Sequence, residues 1–422
     1  MSRLNPSTRE NSLSASDVAQ RQLDTYRHLY REAPSLSDTF QVNSAAFEYC
    51  RRVRHFSLII PYTIDHRILV ERIFLNEGIL WTLLGEGLRQ DAQEDFIVAA
   101  NEIAQEALSG IQLADIVPIA FLSHAFQCNG REWTHKGIAF MGRIRGRDTD
   151  QKLLSVKRTR AQLIDIDTPL GSVTPSQNAK VLSVAQEHLA SKERGQIPFH
   201  DNEISQNELY RGRYQFHDMV IKPVMRAASK YVCEQSLGDV ARVTDEAIRE
   251  VNPHSIIDVA CGENRLCNAL AERGDIPIVV GNDVAWSQIE LIRKTRSSPH
   301  PASSLLYTNH DATVLPFADK TFSVAICKNV LHHMASAEAV RELIGECVRI
   351  AHRAIIIEVA DPAAEHLGSR IMRHYYIDFL RDGAVKFYSR RELEEFTDRD
   401  ELRERFLMST VQGVYQFAVF DS

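Results

Sequence analysis

The stretch SIIDVACGENRLCNAL, Ser255 to Leu270, decides how the second half of the chain folds. Its first residues form a short apolar run rich in β-branched side chains, which reads as a strand buried on both faces. Cys261–Gly262 marks a tight turn, and RLCNAL returns to helical spacing. A strand, a turn and a helix in that order set backbone N–H groups at the strand's carboxyl end, where open α/β sheets hold ligands. Glu263–Asn264 stands where a second glycine is usual. The G-x-G-x-x-G of a nicotinamide dinucleotide site is absent.

The surrounding sequence has the same rhythm. After SIIDVA come the strands IPIVVGND, LLYTNHDA, FSVAICKNV and RAIIIEVADP, with helical stretches between most of them. This alternation predicts a doubly wound α/β domain. Carboxylates close its first three strands: Asp258, Asp283 and Asp311. A carboxylate at the end of the second strand suits a ribose diol, because it accepts from both hydroxyls. One such Asp is as readily a helix N-cap; three at successive strand ends point to a site.

The segments IIDVACGENRL, VVGNDVAWSQIELIRK, NHDATVLPFADKTFSVAICKNVLHHM and GVYQFAVFD resemble a class I S-adenosylmethionine-dependent methyltransferase of Rossmann-like fold, over about residues 250–422. The resemblance implies that Asp258, Ala260, Cys261, Gly262 and Asn264 wrap the methionine part of the cofactor. Asp283, with Val284 beside it, would hold the ribose, and Asp311 with Ala312 would meet the adenine amino group. Asn329 and the following VLHH would line the floor near the transferred methyl. His332 and His333 are the candidate bases for an acceptor hydroxyl or carbon. Ala260 and Asn264 depart from the family's glycines. Asn tolerates a left-handed backbone, and Ala260 adds one methyl. The insert EHLGSRIMRHYYIDFLRDGAVKFYSRREL is expected to cover the acceptor, with Arg373, His374, Tyr375 and Tyr376 as contacts.

In the first half, ILWTLLGEGLRQDAQEDFIVAANEIAQEALSGI resembles a Nudix hydrolase box, within a match over about residues 48–192. Strand-like segments flank it, so the expectation is a mixed α+β, Nudix-like fold. By spacing, Gly87 takes the glycine place, Asn101–Glu102 the Arg–Glu pair, Gln105–Glu106 the Glu–Glu pair, and Gln93 an earlier Glu. Such boxes hold divalent cations, and the resemblance assigns Mg²⁺ to Glu102 and Glu106, one helical turn apart. Neutral Gln93 and Gln105 remove ligand charge; Asp91, Glu94 or Asp95 are the possible replacements. Two readings stay open: a domain that binds a nucleotide-like or other ligand, or only packs, without hydrolysis, and a live diphosphate hydrolase.

A chain of 422 residues exceeds one typical core. The expected division is a mobile tail with a short helix (1–42), a Nudix-like domain (43–193), a linker with lead-in helices (194–245) and a methyltransferase domain (246–422). The net charge of −7 argues against a basic coat for nucleic acid. No apolar run reaches the ~18 residues of a membrane span, and the first residues are polar. Seven scattered cysteines without a C-x-x-C pair suggest free thiols in a reducing cytoplasm. The expectation is a cytoplasmic enzyme that methylates a small-molecule acceptor, without membrane or nucleic-acid partner. The alternatives are a bifunctional Nudix hydrolase and methyltransferase acting on a nucleotide derivative, and a non-catalytic scaffold.

Overall fold

The computed structural model describes residues 14–63, 65–75, 78–88, 95–108, 113–144, 161–167, 176–190, 242, 244–262, 266–295, 300, 302–334, 336–359, 386–397, 400–412 and 415–421. The chain begins its described part with α1 (Ala15–Leu29), started by a capping box. The Ser14 hydroxyl accepts from the Asp17 N–H at 3.2 Å, and the Asp17 carboxylate accepts from the Ser14 N–H at 3.3 Å. Two orphan donors are satisfied at once. Leu23, Tyr26 and Leu29 bury one stripe of α1. The next element, β1 (Ser35–Gln41), lies parallel to β6 (Leu113–Cys128). Within the stretch expected as a tail with a short helix, the helix is α1, and β1 follows it in the first sheet; residues 1–13 lie outside the described residues.

After α2 (Ser44–Cys50) come β2 (His55–Tyr62), β3 (Arg67–Leu75), β4 (Gly78–Thr82) and β5 (Leu84–Gly87). Strands β2 and β3 pair antiparallel, and between them His66 is left-handed at φ +63°. Strands β6, β7 (Arg131–Ile144) and β8 (Ala161–Asp165) complete a mixed sheet in the order β1-β6-β7-β2-β3-β4. Off that path β5 pairs with β2 and β8 with β3. Helices cover both faces, and the period of two along each strand divides the side chains between them. Ile59 and Leu69 pack with Phe96, Ala100 and Ile103 of α3 (Phe96–Ala107). Their neighbours Ile60, Ile68 and Val70 pack with Val181, Ala185 and Leu189 of α4 (Ser176–Ala190).

The C-terminal half alternates as the sequence predicts. Its elements are β9 (Ser255–Val259), α5 (Leu266–Arg273), β10 (Ile278–Asn282), α6 (Trp286–Thr295), β11 (Ser304–Thr308), β12 (Phe322–Lys328), α7 (Ala337–Ile350) and β13 (Ala351–Val359). After α8 (Arg390–Glu395) and α9 (Asp400–Arg403), β14 (Phe406–Gln412) and β15 (Tyr415–Asp421) finish the sheet. The order is β11-β10-β9-β12-β13-β15-β14. The pairs from β11 to β13 are parallel, and β15 runs antiparallel to both neighbours. Every residue of β9, β10 and β11 is buried. This is the doubly covered pattern of a parallel sheet. The chain turns one way from β9 to β10 and the other way at β12, so the switch point lies between β9 and β12.

Two fastenings hold the approach to that crevice. Val340, Leu343, Ile344, Cys347 and Val348 give α7 an apolar stripe against the sheet. Arg349 of α7 donates to the Phe317 and Leu315 carbonyls at 2.6 and 2.9 Å and to Glu346 at 2.7 Å. The Leu315 N–H in turn donates to Glu346 at 2.7 Å. The run Leu315–Asp319 is thus pinned to α7. The Lys320 ammonium caps the same carboxyl end of the helix, donating to the Val348 and Ala351 carbonyls at 3.0 and 2.8 Å.

The expected joint at 194–212 and the first lead-in helix lie outside the described residues. The strand β14 was not expected. Its sequence FLMSTVQ mixes apolar and polar residues without a clean period, and pairing with β15 makes it a strand.

Candidate active site

The carboxyl ends of β9, β10, β11 and β12 converge on one crevice. Two main-chain left-handed turns shape its mouth. Ala260 has φ +54° and Gly262 has φ +51°. At Gly262 the conformation is free, and a Cβ there meets nothing within 4 Å. At Ala260 it costs about 1–2 kcal/mol, because an L-residue's Cβ crowds the following carbonyl. The alanine is therefore a strained backbone position as well as an added methyl. Asn264 lies outside the described residues.

Asp283 ties this loop to the end of β10. Its Oδ2 accepts from the Gly262 N–H at 2.8 Å and its Oδ1 from the Ala285 N–H at 2.8 Å. The second contact is a local Asx turn leading into α6; the first ties the glycine turn to the end of β10. The Cys261 N–H donates to the Asn282 carbonyl at 2.8 Å, a second link between the two strand ends. Asn309 donates to the Asp283 and Val284 carbonyls at 2.7 and 2.9 Å. Asn282 fastens the end of β11: its amide donates to the His310 carbonyl and accepts from the His310 N–H, at 3.1 and 3.0 Å. Asp311 follows directly. Its Oδ1 accepts from the Thr313 N–H and hydroxyl at 2.8 and 2.7 Å, shaping the turn that contains Ala312.

Asp258 is 1% exposed near the end of β9. Burial pushes its carboxyl up to about 7. The Cys267 thiol, donating to it at 3.5 Å, and the Lys328 ammonium pull the other way, while Asp283 adds to the rise. Burial also pushes Lys328 down. Cys261 and Cys267 are both buried free thiols, and both are held above the usual thiol value.

The floor comes from β12 and β13. Asn329 is left-handed at φ +58°, and its N–H donates to the Ile357 carbonyl at 2.8 Å. A single turn of 3₁₀-helix, Leu331–His333, follows. His332 is wholly buried, and its Nδ1 lies 2.8 Å from Oε1 of Glu358, which is wholly buried too. The His332 N–H donates to the other carboxylate oxygen at 3.3 Å. The ring of Phe387 stacks on His332 with centroids 5.2 Å apart. Burial, and then the neighbouring His332, pushes His333 down to about 3. His333 is neutral at any physiological pH.

The structure therefore gathers Asp258, Ala260, Cys261, Gly262, Asp283, Val284, Asp311, Ala312, Asn329, His332 and His333 along neighbouring strand ends, as the sequence reading expects. Two residues were missed. Glu358 ends β13 in the run EVADP, and the strand-end reasoning that singled out the three aspartates would have found it. Lys328 carried no signal, because its nearness to Asp258 is a tertiary fact. Arg373, His374, Tyr375 and Tyr376 lie outside the described residues.

The residues singled out in the first half are arranged differently. Glu102 and Glu106 are exposed on α3. Among the described residues no group of three or more His, Cys, Asp or Glu is placed to hold a metal ion. Asp95 is the N-cap of α3: its Oδ1 accepts from the Ile97 N–H at 3.2 Å and from the Tyr26 hydroxyl at 2.9 Å. It is engaged in structure rather than free to replace a lost ligand. Gly87 lies in β5 opposite Phe56, where a Cβ would meet Val53 at 2.9 Å. Its role there is close strand packing. Asp91, Gln93 and Glu94 lie outside the described residues. Among the described residues no helix is long and apolar enough to cross a membrane.

Comparison with known proteins bears on the second half of the chain. Residues 256–353 match the family described as "Methyltransferase domain". No curated protein matches the chain. Among solved structures the chain is similar to the methyltransferase domain of bacterial CtHen1, at 17% identity and TM-score 0.33, over 45% of this chain and 100% of that one. It is similar to a SAM-dependent methyltransferase from Methanosarcina mazei at 17% identity and TM-score 0.32, over 40% and 93% of the two chains. It is also similar to magnesium protoporphyrin IX methyltransferase from Synechocystis PCC 6803, solved with bound SAM, at 14% identity and TM-score 0.35, over 53% and 98%. The family match and the strand order together show that the C-terminal half carries a class I, S-adenosylmethionine-dependent methyltransferase domain.

Proposed function

We propose that this domain transfers the methyl group of S-adenosylmethionine to a small-molecule acceptor, with the cofactor lying across the ends of β9, β10 and β11. The observation that carries the reading is the bond from the Gly262 N–H to Asp283 Oδ2, which brings the glycine turn and the ribose-type carboxylate into one crevice. The residues fit the group. Asp283 takes the ribose hydroxyls, Asp311 and Ala312 the adenine edge, and the turn Ala260–Gly262 the methionine end, with Asp258 beneath it.

The bound cofactor supplies an activated methyl on sulfur. The protein's share is alignment of the acceptor opposite the leaving sulfur and removal of the acceptor's proton when that acceptor is neutral. His332 suits the second task. A proton on Nδ1 shared with Glu358 sets the tautomer in which Nε2 carries the lone pair. The carboxylate then stabilises the imidazolium formed as Nε2 takes the proton. The neutral ring of His333 forms part of the wall.

For the N-terminal half we propose a Nudix-like module that binds a phosphate-bearing ligand without hydrolysing it. The position of α3, directly after the β2–β5 strands and packed on a mixed sheet, supports it. The neutral Gln93 and Gln105 lower the ligand charge that a Mg²⁺ site depends on, and so disfavour hydrolysis.

Isothermal titration of S-adenosylmethionine into the whole protein and into Asp283→Ala tests the central reading. Micromolar binding that falls at least about tenfold in the variant is expected, as for loss of hydrogen bonds to a charged group. Absence of binding to the unaltered protein would remove the cofactor assignment.

A further inference from the structure

The adenine side of the crevice is held by a residue from outside the methyltransferase domain. Helix α1, at the start of the chain, lies between the two sheets. One side of it faces the first half: the Tyr26 hydroxyl donates to Asp95, the cap of α3, at 2.9 Å. The Tyr26 ring meets Phe96 and Phe140 edge-on, with centroids 6.4 and 5.9 Å apart. The other side faces β11 and the loop after it. Thr25 donates to Ser304 at 3.1 Å, and the Tyr30 hydroxyl, just past the helix end, lies 3.1 Å from Nε2 of His310. The Tyr30 and Phe317 rings are 5.3 Å apart, and the His310 and Phe317 rings 6.0 Å. All of these side chains except Asp95, Thr25, Ser304 and His310 are apolar or aromatic, and each is at least nine-tenths buried.

His310 immediately precedes Asp311. Its backbone is fixed by the Asn282 amide, as described above, and its imidazole by Tyr30 and Phe317. The backbone clamp comes from inside the domain. The side-chain clamp depends on a tyrosine about 280 residues earlier in the chain. Tyr26 and Tyr30 are four residues apart, so one helical turn joins the cap of α3 to the adenine-side loop.

We propose that Tyr30 is a positioning residue of the cofactor site: it holds His310, and through it Asp311, in register for the adenine ring, so that the site is complete only with α1 docked. This rests on the reading that Asp311 faces the adenine. Tyr30 touches no cofactor atom in this scheme, and acts through His310.

The test uses the full-length protein and two probes, S-adenosylmethionine and adenosine, titrated into four variants. Tyr30→Phe keeps the ring against Phe317 and removes only the hydroxyl. Its affinity for both probes should fall by the same factor, about three- to tenfold, the worth of one buried hydrogen bond. Thr25→Val removes the other α1–β11 bond at a distance from His310. It should lower the melting temperature and leave both affinities unchanged. His310→Phe should match Tyr30→Phe, and the double variant should lose no more than either single one. Asp311→Ala serves as the control on the site itself. If Asp311→Ala leaves S-adenosylmethionine affinity intact, the adenine-side assignment fails. If Asp311→Ala weakens binding while Tyr30→Phe does not, the positioning role of Tyr30 is overturned. Equal weakening by Tyr30→Phe and Thr25→Val would also overturn it, because that outcome reports general loss of α1 docking.

Discussion

Ala260 is a residue whose chemistry and conformation disagree. Its φ of +54° is one that glycine adopts without cost, and the family resemblance places a glycine there. Ala260→Gly should relieve about 1–2 kcal/mol of backbone crowding and return part of it as unfolded-chain entropy. A net stabilisation of up to about 1 kcal/mol in urea denaturation is expected, with S-adenosylmethionine affinity unchanged or higher. A destabilised variant would mean that the alanine methyl makes a contact that outweighs its strain. Asp258 gives a second prediction at the same scale. Its carboxyl is raised by burial to about 7 in the folded protein. A raised carboxyl stabilises the fold fully below its unfolded value near 4, and that contribution is lost as pH rises through about 7. Binding has the opposite sign. The cofactor's sulfonium and ammonium charges favour ionised Asp258, so its dissociation constant should fall between pH 6 and 8. In Asp258→Asn that slope should disappear; a slope that persists would assign the titration to another group.

At the scale of elements, the pairing of β12 with β13 is what makes a dyad of two residues distant in sequence. Register sets Lys328 opposite Ile357, and the next turn of chain carries His332 onto Glu358. The dyad is wholly buried, so its carboxylate is worth most as a fixed partner for a proton that moves. With an acceptor found by a methylation screen, Glu358→Gln should lower kcat by about 10- to 100-fold, as for loss of a group that orients a histidine. It should leave S-adenosylmethionine affinity within about twofold, since β13 does not line the cofactor side. An unchanged kcat would show that the acceptor arrives already deprotonated and that His332 only packs. The pinning of Leu315–Asp319 by Arg349 is a comparable device, in which one guanidinium joins a loop to the helix that follows it.

The whole molecule has a core that does not stop where the sequence suggested a boundary. Leu23 and Tyr26 of α1, with Tyr30 just past it, join Phe96 of α3 and Ile138 and Phe140 of the first sheet to Leu306 and Tyr307 of β11 and to Phe317 beyond it, in one continuous apolar cluster. Burial of this kind couples the parts it joins. Scanning calorimetry of the full chain should therefore show one transition, with matching calorimetric and van't Hoff enthalpies. Two resolved transitions would mean that α1 leaves one half before that half unfolds. Acid should act on the first half through His55 and His124, both pushed down to about 4 chiefly by burial. Histidines held neutral stabilise the fold above their unfolded value near 6.5, and that contribution is lost as pH falls through about 4.

The strand runs of the second half, and the placing of Asp258, Gly262, Asp283, Asp311 and Asn329 at strand ends and turns, were legible along the chain. Each belongs to a local pattern: an apolar run of strand length, a turn residue, a polar residue at a strand end. Helix α3, which puts Glu102 and Glu106 one turn apart, was legible for the same reason. The pairing of His332 with Glu358, the approach of Lys328 to Asp258, the use of Asp95 as a cap bonded to Tyr26, and the docking of α1 on β11 were decided by the tertiary structure. A single sequence carries the period of each element, and hence which face is apolar. It does not carry which apolar faces meet, and those meetings set every contact between residues far apart in the chain. Helix α1 is the clearest case: the sequence announced a short helix there, and its two partners were chosen by packing.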